Sequence, residues 1–551
     1  MEVSEFYKKV FKIDSPYKHQ LKVWQKLTNN ESPLLLKAPT GSGKTEAVLA
    51  PFLNQFPERK FIIAPRLIYT LPMRVLVNSV ADRIRNHVKE LDSSISVEVQ
   101  HGDVPNSPFF ISDIVVTTLD QFLYGFARAS KQVGYHIDIP AGAIASSLVV
   151  FDEAHMYRDG FTFSIMRALM EILYESKVPF VVMTATMPKS LENSLFENIK
   201  TDDKTITTDN FDLKNSASIS IRNEPLYTEE EGVNIDNELF EKIKNKKTLI
   251  VLNQVKRAQK VYERVKSKLS LNEKEVVLLH SRFTTGDRKR HENTALGVMK
   301  SEEENPRIVI STQVLEAGMD FSAELLITEI APADSIVQRA GRCARYFGEK
   351  GEIIIYPIEN KKGHLPYEKE HMEKTLEWLS SNRNFNIKDF REVSSFVNIL
   401  DYSANDYEAR DTLVDLYECV LYADTKPTNI QLRDSKPVTL VVLDFAKGKG
   451  KGGMEQQILD ATRETNIREN LIGIDTGIAW KFFKEGHIRW EIRWKYEDKD
   501  KKHNIEVIDL LKNQKDVDEK DLRIGPFRTY IFNSFSYNPE KGVVPDETPF
   551  I

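Results

Sequence analysis

Cysteine is almost absent from this 551-residue sequence, which contains only Cys343 and Cys419. Two thiols are too few for a disulfide framework or a four-thiolate metal site, and a reducing compartment suits the chain. Long apolar runs are also missing, and none reaches the roughly 20 residues that a bilayer-spanning helix needs. The amino terminus, MEVSEFYKKVF, lacks the basic flank, apolar stretch and small-residue cleavage site of a secretory signal. The expected location is therefore the cytoplasm, with no membrane partner. Excess positive charge is lacking too. A formal net charge of −6 argues against a protein that coats nucleic acid by bulk electrostatics, while leaving room for a local basic channel. There is no long low-complexity region and no short-period repeat.

What is present is a pattern of short Val-, Ile- and Leu-rich runs alternating with longer amphipathic stretches, as expected of strands buried on both faces between helices. It occurs twice. The first set comprises Leu34 to Lys37, Phe61 to Ala64, Ile114 to Thr117, Leu148 to Phe151 and Phe180 to Thr184. The second comprises Thr248 to Leu252, Val276 to Leu279, Ile308 to Ser311, Leu325 to Thr328 and Glu352 to Tyr356. The fold class is therefore α/β, with two tandem parallel-sheet domains joined in the polar stretch between Lys200 and Asn237. The expected boundaries are 1–205 and 206–360, then a helical linker over 361–435 and a smaller accessory domain over 436–551. The tract KGKGKGG at 447–453 reads as a flexible exposed loop.

The segment APTGSGKT, Ala38 to Thr45, follows the strand LLLK and precedes the helix-compatible EAVLAPFL, the setting a phosphate-binding loop requires. Thr40, Gly41, Ser42, Gly43, Lys44 and Thr45 are the expected phosphate-binding set. The glycines let backbone amides turn inward, Lys44 reaches the β and γ oxygens, and the Thr45 hydroxyl ligates Mg²⁺. VVFDEAH places Asp152 and Glu153 at the end of an apolar strand, facing the ligand crevice of a parallel sheet. Asp152 is expected to hold Mg²⁺ and Glu153 to orient or deprotonate the attacking water, since phosphoryl transfer is mostly positioning and charge neutralisation.

QRAGRCAR, Gln338 to Arg345, is helix-compatible, and Arg342 and Arg345 lie three apart and can share a face. Arginines aimed at a γ-phosphate from a second domain stabilise transition-state charge and contribute about 10³ to 10⁵ in rate. ATP would then close the cleft and hydrolysis release it, which is a motor stroke.

These residues, in this order, resemble the superfamily 2 helicases of the DEAH/DEAD type, whose two motor domains are RecA-like. The resemblance implies that Gln20 recognises adenine, that His155 with Thr184 and Thr186 couples nucleotide state to nucleic acid, and that Gln338 and Asp320 belong to the ATP site. It also implies strand contacts from Arg74, Thr117, Thr118, Gln121, Asn253, Arg282 and Thr312, made mainly to sugar and phosphate. More narrowly, HSRFTTGDR (280–288), TTLDQFLYG (117–125) and APADSIVQRAGRCAR (331–345) are similar to the helicase component of type I CRISPR interference systems. That family is often fused to an HD-type nuclease, but the sequence has no His-Asp dipeptide. The implied function is an ATP- and Mg²⁺-dependent 3′ to 5′ translocase on single-stranded DNA. The implied partners are a guide-RNA surveillance complex and a separate HD nuclease; a DEAH/DEAD-type RNA helicase is the alternative.

Overall fold

The computed structural model describes residues 2–39, 41–102, 104–199, 205–208, 215–300, 307–316, 319–359, 363–421, 437–443, 454–464, 466–497, 502–511, 524–525 and 528–544. Thr40 and the tract 447–453 lie outside them.

The first lobe is built on an eight-stranded sheet in the order Val104–Pro105, Val97–His101, Ile114–Thr118, Arg66–Leu71, Ser147–Phe151, Phe180–Thr184, Leu34–Lys37, Thr205–Thr207. Its strands run parallel except for the short Val104–Pro105 at one edge. Helices cover both faces, so Ile114–Thr118, Ser147–Phe151 and Phe180–Thr184 are buried along their whole length, which is why they read as unbroken apolar runs. The run Phe61 to Ala64, expected as a strand, is not one. Phe61 and Ile62 are exposed, and the strand begins at Arg66 instead. The less apolar sequence RLIYTL tolerates burial because its polar groups are partnered inside the sheet. The Thr70 hydroxyl donates to the Val150 carbonyl, and the Tyr69 hydroxyl to Asp152.

The second lobe is a six-stranded all-parallel sheet in the order Val276–Leu279, Arg307–Ser311, Lys247–Val251, Leu325–Glu329, Lys350–Tyr356, Ser216–Ile221. Thr205–Thr207 belongs to the first sheet and Ser216–Ile221 to the second. The fold is thus a tandem pair of RecA-like α/β units.

Three helices follow and straddle the lobes. Lys369–Ser381 and Phe390–Val397 contribute Met372, Leu379, Val393 and Phe396 to the second lobe's core. Asp406–Leu421 lies along the first lobe's helix Gly160–Glu175 and inserts Ala409, Leu416 and Cys419 there. A mixed five-stranded sheet completes the described fold: Leu471–Asp475, Pro437–Leu443, Thr529–Asn533, Ile488–Glu497, Lys502–Asp509. After it, the hairpin pairing Tyr537–Asn538 with Gly542–Val543 returns to the second lobe, where Val543 N donates to the Arg282 carbonyl at 3.0 Å.

Candidate active site

The phosphate loop lies between the strand Leu34–Lys37 and the helix Lys44–Leu53. Gly41 and Gly43 have φ of +83° and +75°, the left-handed region that glycine enters without steric cost. At Gly43 a Cβ would also lie 2.5 Å from the Gln20 amide nitrogen. Lys44 Nζ donates to the carbonyls of Ala38 (2.9 Å) and Pro39 (3.1 Å), and the Ser42 hydroxyl donates to Pro39 (2.8 Å). Gln20 is fully buried and spent on bracing: its Oε1 accepts from Tyr17 N at 2.8 Å, and its Nε2 donates to the Gly43 carbonyl at 3.1 Å. In this arrangement its amide holds the loop. Tyr17, which sequence reasoning did not single out, is half-exposed beside the loop and stacks on His19, with ring centroids 5.7 Å apart.

Asp152 sits at the end of Ser147–Phe151 and accepts from the Tyr69 hydroxyl at 2.6 Å. That hydroxyl is also 3.3 Å from Thr45 Oγ1, so one phenol joins the two expected metal ligands. Burial, reinforced by the charge of Glu153 and opposed by Lys44, pushes the Asp152 carboxyl up to about 6. A bound cation would reverse that shift. A hydroxyl and a carboxylate held together at a loop that turns its amides inward fit a hard divalent ion such as Mg²⁺. Glu153 has φ +53°, a conformation costing about 1–3 kcal/mol for a residue with a side chain. Its Oε2 is buried without a hydrogen-bond partner.

The second lobe meets this edge through the helix Ala333–Ala340. Gln338 Nε2 donates to His155 Nε2 at 2.7 Å and to Thr186 Oγ1 at 2.9 Å. His155 is buried, which pushes its imidazole down to about 4. With Nε2 accepting, the ring proton lies on Nδ1 and is donated to Thr184 Oγ1 at 3.1 Å. Thr184, Thr186, His155 and Gln338, all named from the sequence, are therefore one connected group. Nearby, a cleft of about 620 Å³ is shared by Pro39 and Thr186 of the first lobe, Gly341 and Arg345 of the second, and Lys388 and Phe390 of the helical segment.

The expected shared helix face of Arg342 and Arg345 does not form, because the helix ends at Ala340 and both lie beyond it, and the three arginines separate by role. Arg339 is buried and faces its own sheet, donating to Glu316, Thr328, the Glu329 carbonyl, Asn253 and Tyr367. Arg342 donates to the carbonyls of Leu315 (3.3 Å) and Glu316 (3.2 Å). Burial and Arg345 push its guanidinium down to about 9, while Glu153, across the seam, favours its charge. Arg345 pairs with Asp320 at 3.0 Å. The structure thus brings Arg342 and Glu153 within electrostatic reach, while Asp320 touches Arg345 and the Tyr346 hydroxyl.

The expected strand-contacting residues are less uniform. Arg74 is exposed and its guanidinium lies over Gly102. Thr117, Thr118 and Thr312 are buried at strand ends, and the Thr117 hydroxyl donates to the Gln100 carbonyl at 2.8 Å. Gln121 accepts from Gln100 at 3.1 Å. Arg282 is partly covered by the carboxy-terminal hairpin. Asn253 is buried, where its Nδ2 donates to Ile330 O and its Oδ1 accepts from Arg339 in the second lobe's interior. Sequence reasoning also missed Arg158, which forms an ion pair with Asp334 across the seam.

A phosphate loop and acidic pair on one parallel sheet, met across a seam by Gln338 and a buried arginine segment from another, form an arrangement of two tandem RecA-like units. Residues 17–194 match the family described as DEAD/DEAH box helicase. Residues 244–347 match the family described as CRISPR-associated nuclease/helicase Cas3, C-terminal. The chain is 29% identical over 438 residues to a CRISPR-associated nuclease/helicase Cas3 of Methanocaldococcus jannaschii, a match covering 72% of this chain and 57% of the relative. It is 28% identical over 461 residues to a CRISPR-associated helicase Cas3 of Thermoproteus tenax, covering 79% and 76%. The crystal structure of T. fusca Cas3 with AMPPNP superposes with a TM-score of 0.66 at 18% identity, covering 86% of this chain and 66% of that one. At that identity the likeness is one of fold. The chain thus carries a DEAD/DEAH box helicase domain followed by a Cas3-like domain, and it resembles the Cas3 helicases while spanning little more than half of the first of these relatives.

Proposed function

We propose that the chain is an ATP-driven translocase and helicase on single-stranded DNA, moving 3′ to 5′, that unwinds target DNA in type I CRISPR interference. The observation that carries this is Gln338 bonding both His155 and Thr186, which ties the helix just ahead of Arg342 and Arg345 to the loop side of the seam. Lys44 binds the β and γ oxygens of ATP, and Thr45 and Asp152 hold Mg²⁺, which supplies charge neutralisation. Glu153 orients the attacking water, and its buried Oε2, which makes no hydrogen bond and lies 3.6 Å from His155 Nδ1, suits that task. Arg342 and Arg345 face the γ-phosphate once a triphosphate competes with their present partners. Tyr17 offers a ring for the base, with Gln20 holding the loop beneath it. The strand runs across both lobes past Arg74, Thr117, Thr118, Gln121, Arg282 and Thr312.

The guide-RNA surveillance complex is the proposed partner, and cutting is supplied from outside these residues by an HD-type nuclease, in keeping with the missing His-Asp dipeptide. Steady-state ATP hydrolysis measured with single-stranded DNA, with single-stranded RNA and with neither tests the motor: stimulation by DNA is expected, and equal turnover in all three refutes it. An RNA-driven motor is the second reading. The chain is 25% identical over 375 residues to the ATP-dependent RNA helicase DBP8 of Candida albicans, and preferential stimulation by RNA would select that reading. Recovery of guide-RNA-bound subunits and a separate HD nuclease from the native host tests the CRISPR assignment; recovering neither returns the chain to a general helicase.

A further inference from the structure

We propose that the buried ion pair between Arg158 and Asp334, joined by Tyr402, is a clasp that fixes the register of the two lobes, making Arg158 and Asp334 positioning residues for the groups that face the nucleotide. This rests on the nucleotide-cleft reading above. Asp334 is fully buried, and the Arg158 side chain is about one-fifth exposed. The guanidinium forks, one nitrogen pairing with Asp334 and the other donating to Ser335 Oγ at 2.9 Å, and it lies 5.8 Å from the Tyr367 ring centroid. Asp334 precedes Gln338 by one helical turn, and Arg158 follows His155 by three residues. The clasp and the Gln338–His155 bond are therefore neighbouring rungs of one interface.

The third member comes from the helical segment. The Tyr402 hydroxyl donates to Asp334 at 3.1 Å, and its ring packs against both lobes' cores. It lies between Phe390–Val397, embedded in the second lobe, and Asp406–Leu421, embedded in the first. Asn398 beside it accepts from Lys189 N of the first lobe at 3.0 Å. All three parts of the motor thus converge on one carboxylate. Sliding the lobes out of register with the seam still closed would leave a buried carboxylate without its cation, a penalty that selects one register for the closed state.

The test uses the full chain with cysteines introduced at the exposed positions Glu58 and Lys268; the native Cys343 and Cys419 are buried, so spin labels attach selectively. Interlobe distances are measured without nucleotide and with AMPPNP. A single narrow distribution is expected for the otherwise unaltered chain. Broadening or a second, longer distance is expected for Arg158→Met and Asp334→Asn, and the narrow distribution should return in the exchange pair Arg158→Asp with Asp334→Arg. Turnover in the single variants should fall about a hundredfold, with the KM for ATP changed by less than about threefold, because misplacement acts on the reacting geometry. Should Arg158→Met not fold, Arg158→Lys decides, since it keeps the charge and loses the fork: a broadened distribution supports the clasp. An unchanged distribution in whichever variant folds overturns it. Distances need no hydrolysis, so a chain that turns over no ATP would refute the motor while the distances still decide the clasp.

Discussion

Replacing Arg339 by Met should destabilise the second lobe far more than any exposed arginine could. Arg339 is 1% exposed, and each of its five N–H groups has an acceptor: Glu316 (2.9 Å), Thr328 Oγ1 (2.8 Å), Glu329 O (3.1 Å), Asn253 Oδ1 (3.0 Å) and Tyr367 Oη (2.9 Å). Methionine fills much of the volume but leaves Glu316, only 9% exposed, with hydroxyls from Ser335 and Tyr367 in place of a cation. Breaking a buried pair from one side costs about 3–5 kcal/mol. For a unit of this size, 1 kcal/mol corresponds to about 2–4 °C in Tm, so the shift should be about 6–20 °C. Scanning calorimetry of the full chain measures it, with amide exchange in Leu325–Glu329 and Lys247–Val251 assigning the transition to the second lobe. Arg339→Lys keeps a charge but has three donors and no fork, so it should fall between. A Met variant melting within about 2 °C of the unaltered chain would refute the assignment of Arg339 to structure.

Three further outcomes are expected. Glu153→Gln should abolish ATP turnover while leaving nucleotide affinity within about threefold; unchanged hydrolysis would remove Glu153 from the attacking-water role. Gln338→Ala should lower kcat about tenfold or more with little change in the KM for ATP, because two interlobe hydrogen bonds worth about 1 kcal/mol each are lost and the buried His155 Nε2 is left unpaired; fluorescence-monitored nucleotide binding and steady-state turnover separate the two effects. His280 is neutral in the fold: burial pushes it down to about 3, its Nδ1 accepts from Arg282 N, and its Nε2–H donates to Lys541 O. The unfolded chain binds that proton more readily, so the stabilisation is complete above about pH 6.5 and is lost as pH falls towards 3. Between pH 6.5 and 5 the loss should be about 2 kcal/mol, and denaturant melts in which His280→Gln does not flatten the pH slope would contradict it.

The parts of the site that were legible in sequence are those whose chemistry is local. The loop from Ala38 to Thr45 and the pair Asp152 and Glu153 each follow a strand buried on both faces, and their backbone context is written within a dozen neighbouring residues. Strands whose polarity is resolved by distant partners were harder to read. Arg66–Leu71 looks less strand-like than Phe61 to Ala64 until Tyr69 is seen bonding Asp152, 83 residues away. Ser216–Ile221 was missed because it is an edge strand of small residues, partly exposed along its length. Among the arginines, spacing alone could not show that the helix stops at Ala340, with Arg339 inside it and Arg342 beyond it both buried and Arg345 partly exposed. The bond of Asn253 to Arg339 was hidden for a similar reason, since the two lie 86 residues apart. The Arg158–Asp334 contact spans 176 residues and becomes visible only once the lobes are folded against each other.

The most direct measurement is a high-resolution structure of the chain with Mg²⁺ and a non-hydrolysable ATP analogue. The expected result has Lys44 on the β and γ oxygens, the ion between Thr45 and Asp152, and Arg342 or Arg345 released from its present partners onto the γ-phosphate. A nucleotide bound to the first lobe with its γ-phosphate open to solvent, and with Arg342 still on the Leu315 and Glu316 carbonyls and Arg345 still on Asp320, would contradict it.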